Sequence, residues 1–185
     1  MIDNIVRNKI SYAIANGKVS MWNKAAYNPI GESMPLYMEL LNGLPHELIG
    51  GDGEPSLAEN VIYCTMAMWG HHQHCNDAED RPAHRDGISL GTSIRMLKGE
   101  SVETVERAER AFKLLATFVD TYGYPFDWQL INTQLKRIID YLRIASVPTD
   151  YGMLAEQLYS VAIGKSDMQE IGRSLIGDYY ADSCG

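Results

Sequence analysis

The chain contains no stretch approaching eighteen consecutive apolar residues, which excludes a membrane-spanning helix. Its opening, MIDNIVRNKI, has no basic head followed by an apolar run, so no export signal is read there. The three cysteines, Cys64, Cys75 and Cys184, are odd in number and follow no framework spacing; without an export signal, the cytoplasm is the expected compartment. No segment alternates apolar and polar residues as a half-buried strand would, and there is no low-complexity tract, internal repeat or sustained heptad. GxxxxGKS, GxGxxG after a strand, GxSxG and HExxH are all missing, and no carboxylate pair stands out by spacing. Positive charge is also short. Sixteen Lys and Arg face twenty-four Asp and Glu, a formal net charge of −8 that is unfavourable to nucleic acid as a whole.

What is present is an ordinary globular composition, 45% apolar and 22% charged. The acid is unevenly spread. Residues 88–145 hold eight cations and seven carboxylates, so the excess negative charge lies outside them. Helical periodicity and helix-end signals recur along the whole chain. Ile5, Val6, Ile10 and Ile14 stripe residues 3–16, which stop at Gly17. Ser33-Met34-Pro35 opens a short helix that ends at Gly43, and GGDGEP at 50–55 reads as a flexible loop. Ser56-Leu57-Ala58-Glu59 is a capping box for a helix reaching about His72, and Ser89 caps another that ends at Gly99. Val102, Val105, Phe112, Leu115, Val119 and Tyr122 mark one face of 101–122, before Gly123 and Pro125. Trp128, Ile131, Leu135, Ile138, Leu142 and Ala145 do the same for 127–145. Two more helices are expected at about 150–162 and 166–181, the second opened by the capping box Ser166 to Gln169. The expected fold is an all-α multi-helix bundle forming a single domain over residues 1–185.

Four of the five histidines and one cysteine fall within fourteen residues, in MWGHHQHCND and at His84. On a continuing helix His71 and Cys75 would share a face, and with His74 and His84 they would be the ligands of a metal-dependent hydrolase. The spacing matches no zinc pattern, so these histidines are read as a helix end, where imidazolium suits the negative pole of the macrodipole. No metal and no cofactor is expected.

The cations fall into two groups. Arg107, Arg110 and Lys113 each follow a glutamate by four, the favourable ion-pair orientation on a helix. Lys136, Arg137 and Arg143 have no acid four residues before them, and only Asp140 lies among them. Arg95 and Lys98 also lack a local acid. Such unpaired cations are candidates for tracking a phosphate backbone, each contact releasing counterions.

The order MWGHHQ, GISLGTSIRML, ERAFKLLA, QLKRIIDYLR, TDYGMLAEQLY and DYYA resembles the small, CasB-type subunit of type I-E CRISPR Cascade complexes. The most specific piece is Gly87-Ile88-Ser89-Leu90-Gly91, followed by Glu109-Arg110-Ala111-Phe112 and by Gln134 to Arg137. The resemblance implies a non-catalytic all-α subunit. Paired copies would lie against the backbone and large subunits of an RNA-guided complex, holding guide RNA and target DNA in an open R-loop. It places Arg110, Lys136 and Arg137 at basic motif positions. Arg143 follows two turns after Lys136, and Arg95 and Lys98 join the nucleic-acid-binding set from charge pairing alone. The chain departs from the family pattern at Thr92 and Ala111, where arginine is usual, and keeps only Lys24 of an early basic pair. The competing expectation is an acidic helical scaffold that touches only protein.

Overall fold

The computed structural model describes residues 1–117, 128–166 and 168–181. Among these the regular elements are α1 (Ile2–Ala15), α2 (Val19–Ala25), α3 (Met34–Leu41), α4 (Leu57–Gln73) and α5 (Leu90–Met96), then α6 (Val102–Thr117), α7 (Trp128–Ala145), α8 (Tyr151–Ala162) and α9 (Met168–Tyr180). Short 3-10 turns cover His46–Leu48 and Leu97–Gly99. No strand occurs among the described residues; a lone bridge joins His84 to Thr149. The fold is the expected all-α bundle. No described helix is long and apolar enough to cross a membrane.

The helix ends follow local chemistry. Gly17 and Gly43 adopt positive φ, +64° and +73°, where a side chain would be strained. At the start of α4, Ser56 Oγ accepts the Glu59 N–H at 3.0 Å, and Glu59 Oε2 accepts the Ser56 N–H at 2.5 Å. The expected capping box is therefore formed in full. Of the expected capping box at Ser166–Gln169, Asp167 and the side chains of Met168 and Gln169 lie outside what is described, as do Val119, Tyr122, Gly123, Pro125 and the Trp128 side chain.

The core is organised around α4, buried at Ala58 and Glu59 and on every side from Val61 to Gln73. A helix hydrophobic all round belongs inside a bundle. Around it pack α2, α8, α7 and α1, and α1 lays its stripe of Ile2, Val6, Ile10 and Ala13 against α8 as well. Helices α5, α6 and α9 make a second packed group, joined to the first mainly through α6 on α7. The stripe of α6 is shifted from the expected one. Val102 is 75% exposed, and Ala108 and Ala111 are buried beside Phe112 and Leu115. Ala111 thus occupies a packed position that an arginine would have to leave to reach water.

Candidate nucleic-acid interface

Helix α7 buries Ile131, Leu135, Ile138, Ile139 and Leu142, which leaves its cations on the flanks of the stripe. Lys136 Nζ lies 3.6 Å from Asp140 Oδ2, and Arg143 Nη2 lies 3.9 Å from Asp140 Oδ1. The expectation that these two cations are unpaired is therefore corrected: Asp140, one turn beyond Lys136, serves both. Arg143 is only 34% exposed, and its Nε is buried with no hydrogen-bond partner among the described residues. Arg137 is exposed, with no ion pair to a described residue. Three cations against one carboxylate leave this helix a surplus of positive charge.

The remaining candidates sit elsewhere. Arg110 is exposed on α6, 3.6 Å from Glu106, and Lys113 lies 3.9 Å from Glu109, the i,i+4 pairs read from the sequence. Exposed pairs of this kind are worth at most about 1 kcal/mol and release their cation readily. Lys98 stands 5.0 Å above the Tyr179 ring of α9, and Arg95 is half-buried on α5. Contacts thus bring Lys136 and Arg143 together at Asp140, but tie Lys98 and Arg110 to other elements.

The histidine cluster is the end of α4, as expected, but its side chains do not cap it as exposed cations. His71 and His72 are 2% and 1% exposed. His71 Nε2 meets Asp140 Oδ1 at 2.6 Å, and its Nδ1 faces the Asn23 amide at 3.2 Å and the Tyr27 hydroxyl at 3.4 Å. Burial holds its pKa below the ordinary value, against the opposing pull of Asp140. His72 Nδ1 pairs with the Tyr151 hydroxyl at 2.9 Å, and burial pushes its pKa down to about 3. Both rings are neutral near pH 7. Cys75 has φ +68°, is exposed, and lies 3.0 Å from His74 Nδ1, so it does not continue the His71 face.

His84 belongs to a different cluster. It lies with Asp86 and Asp150, their ligand-type atoms all within 4.8 Å, the one such group among the described residues. The hypothetical set His71, His74, Cys75 and His84 is therefore not assembled. In the His84 group the carboxylates are already answered by protein. Arg7 lies 2.9 Å from Asp150 and 3.3 Å from Asp86. Asp150 also accepts the Gly87 and Met153 N–H groups, and His84 Nδ1 accepts that of Tyr151. This is a clasp joining α1, the 84–88 loop and the start of α8.

The sequence reading missed a groove of about 500 Å³ beside Lys136, bounded by the segment after α2, by α4 and by α7. Tyr27, Tyr63, Asn60, Asn132 and Thr133 line it with Lys136. Tyr27 is 64% exposed, yet Lys136 Nζ sits 4.9 Å from its ring centre and His71 meets it edge-on at 5.7 Å. No sequence signal joins these residues, which come from three elements far apart in the chain.

The architecture is shared with a solved structure, CasB from Thermobifida fusca, at a TM-score of 0.65 and 22% identity, over 97% of this chain and 95% of that one. At that identity the likeness establishes the class, an all-α bundle of the same fold. Residues 23–180 match CRISPR-associated protein Cse2, and the chain belongs to that family, the CasB-type Cascade subunits that its motifs resemble. No curated protein matches.

Proposed function

We propose that the chain is a non-catalytic small subunit of a type I-E Cascade complex that supports target-DNA binding and R-loop formation through nonspecific backbone contacts. The observation that carries this reading is the cationic surplus of α7, with Arg137 exposed and Lys136 held only by a surface carboxylate and an aromatic face. Strand exchange against a guide RNA is nearly balanced in energy, so a few phosphate contacts tip it. Copies of the chain would pair and pack against the backbone and large subunits. Arg110, Arg95 and Lys98 would add contacts from α6, α5 and the 3-10 turn between them as their present partners are exchanged for phosphate.

The test is Lys136→Glu with Arg137→Glu in the assembled complex, with target-DNA affinity measured across a salt series. Each lost phosphate contact flattens the slope of log affinity against log salt by roughly 0.9. A flattening by about two such steps, with affinity lower at every salt, is the expected outcome. Unchanged affinity and slope would leave a scaffold that touches only protein, the reading favoured by the acidic net charge and by Asp140.

A further inference from the structure

The groove beside Lys136 and the buried His71 play no part in a phosphate contact, yet the structure builds them together. The groove volume falls within the range of small-molecule sites, roughly 300–1,000 Å³. Among the described residues Lys136 is the one charged group along it, so an anionic ligand is favoured. Two tyrosines and the amides of Asn28, Asn60 and Asn132 stand among apolar neighbours such as Ile30 and Met68, and tyrosine with amide is the combination by which proteins stack an unpaired base and hydrogen-bond its edge.

Two details orient these groups. The Cys64 thiol donates to Asn132 Oδ1 at 2.6 Å, and burial raises that thiol's pKa to about 12, so it remains a donor. The Asn132 oxygen is thereby occupied, and its NH2 has no partner among the described residues. Tyr27 is an exposed ring held by a buried one: His71, fixed by Asp140, meets it edge-on with an interplanar angle of 81°. An exposed aromatic already held in place pays less ordering entropy when a ligand stacks on it.

We propose that this groove takes one unstacked nucleobase from the strand whose phosphate Lys136 holds, with Tyr27 as its platform and the Asn132 NH2 as a donor to its carbonyl edge. The inference rests on the nucleic-acid reading above. Lys136 now shares its charge between Asp140 and the Tyr27 ring. A phosphate draws the ammonium off the ring, since a charge-assisted bond outweighs an exposed cation–π contact, and the ring face is opened to the base. His71 acts as a positioning residue for Tyr27.

The experiment compares the full-length chain with dT20, U20 and an abasic oligonucleotide of equal length and charge, at low salt. The variants are Tyr27→Ala, which removes the platform, and Thr133→Trp, which obstructs the groove; both positions are exposed, and folding is checked by circular dichroism. The unaltered chain should bind dT20 or U20 more tightly than the abasic strand by roughly five- to a hundred-fold, the scale of one stacked base. Whichever of dT20 and U20 binds more tightly identifies the strand chemistry. Both variants should lose that preference, and Thr133→Trp should bind the abasic strand as the unaltered chain does. Equal binding of base-bearing and abasic strands, no binding of either, or variants that keep the preference would overturn the pocket. Since the charge reversals are judged in the assembled complex, an effect there with no base preference here would remove the groove alone.

Discussion

His72 shows how much one side chain's surroundings decide. Its Nδ1 lies 2.9 Å from the Tyr151 hydroxyl, which also reaches the Met68 carbonyl at 3.4 Å, and a hydrogen bond with the Leu142 backbone opposes the effect of burial on the ring. Burial wins, and the ring is neutral near pH 7. Its folded pKa, about 3, lies below the ordinary 6.5, so the unfolded chain binds the proton first as pH falls. Stability is full above about pH 6.5 and declines down to about 3, at a slope of up to about 1.4 kcal/mol per pH unit. His71, lowered in the same direction, adds to the decline. Urea unfolding at pH 7 and pH 5 should show this loss, and His72→Phe should reduce it. If the variant keeps the full slope, the titrating group lies elsewhere. That these histidines end a helix was legible from MWGHHQ. That they are buried was not, because Asp140 and Tyr151 are 69 and 79 residues away.

At the scale of elements, Gly87-Ile88-Ser89-Leu90-Gly91 acquires a physical reason at three of its positions. Gly87 has φ +79° and gives its N–H to Asp150 at 2.8 Å. Ser89 caps α5 by accepting the Thr92 N–H at 3.2 Å. Gly91 lets α9 approach so closely that an added Cβ would collide with the Leu175 carbonyl. Gly91→Ala should therefore loosen α9 from α5, costing about 1–3 kcal/mol, seen as a lower melting temperature and faster proteolysis near α9. A variant as stable as the parent would show that the contact is not tight. Gly70, whose Cβ would fall 2.5 Å from the Trp22 carbonyl carbon, plays the same part between α4 and α2. Glu59 is a second sensitive point: fully buried, it accepts from Tyr37 Oη, Gly50 N and Ser56 N. Glu59→Ala should cost on the order of 2–4 kcal/mol in denaturant unfolding by leaving buried donors unanswered, whereas Ser56→Ala should cost about 1. The capping box was legible as a four-residue pattern. The Tyr37 and Gly50 bonds were not, since they need the 3-10 turn at His46–Leu48 and α3 to fold back on α4.

Across the whole molecule, an acidic chain presents in α7 three cations against one carboxylate, and its neighbours decide which of those cations are available. Lys136 and Arg143 share Asp140, while Arg137 is exposed. Arg137→Glu alone should therefore weaken target-DNA binding by the assembled complex more than Arg143→Glu, in affinities measured at one salt concentration. The reverse order would mean that Asp140 does not restrain Arg143. The all-α class, the described helices other than α2, the Ser56 and Ser89 caps and the basic positions of α7 were determined by the sequence itself, because capping, glycine turns and periodic stripes act over one or two turns of chain, whereas α2, at seven residues, is too short to show a stripe. Only the tertiary structure decided that α4 is the central helix, that Val102 faces water, that His71 and Asp140 are partners, and that a groove opens beside Lys136. Each of these depends on which distant segment comes to lie alongside, and burial and charge pairing are set by that neighbour rather than by the local pattern.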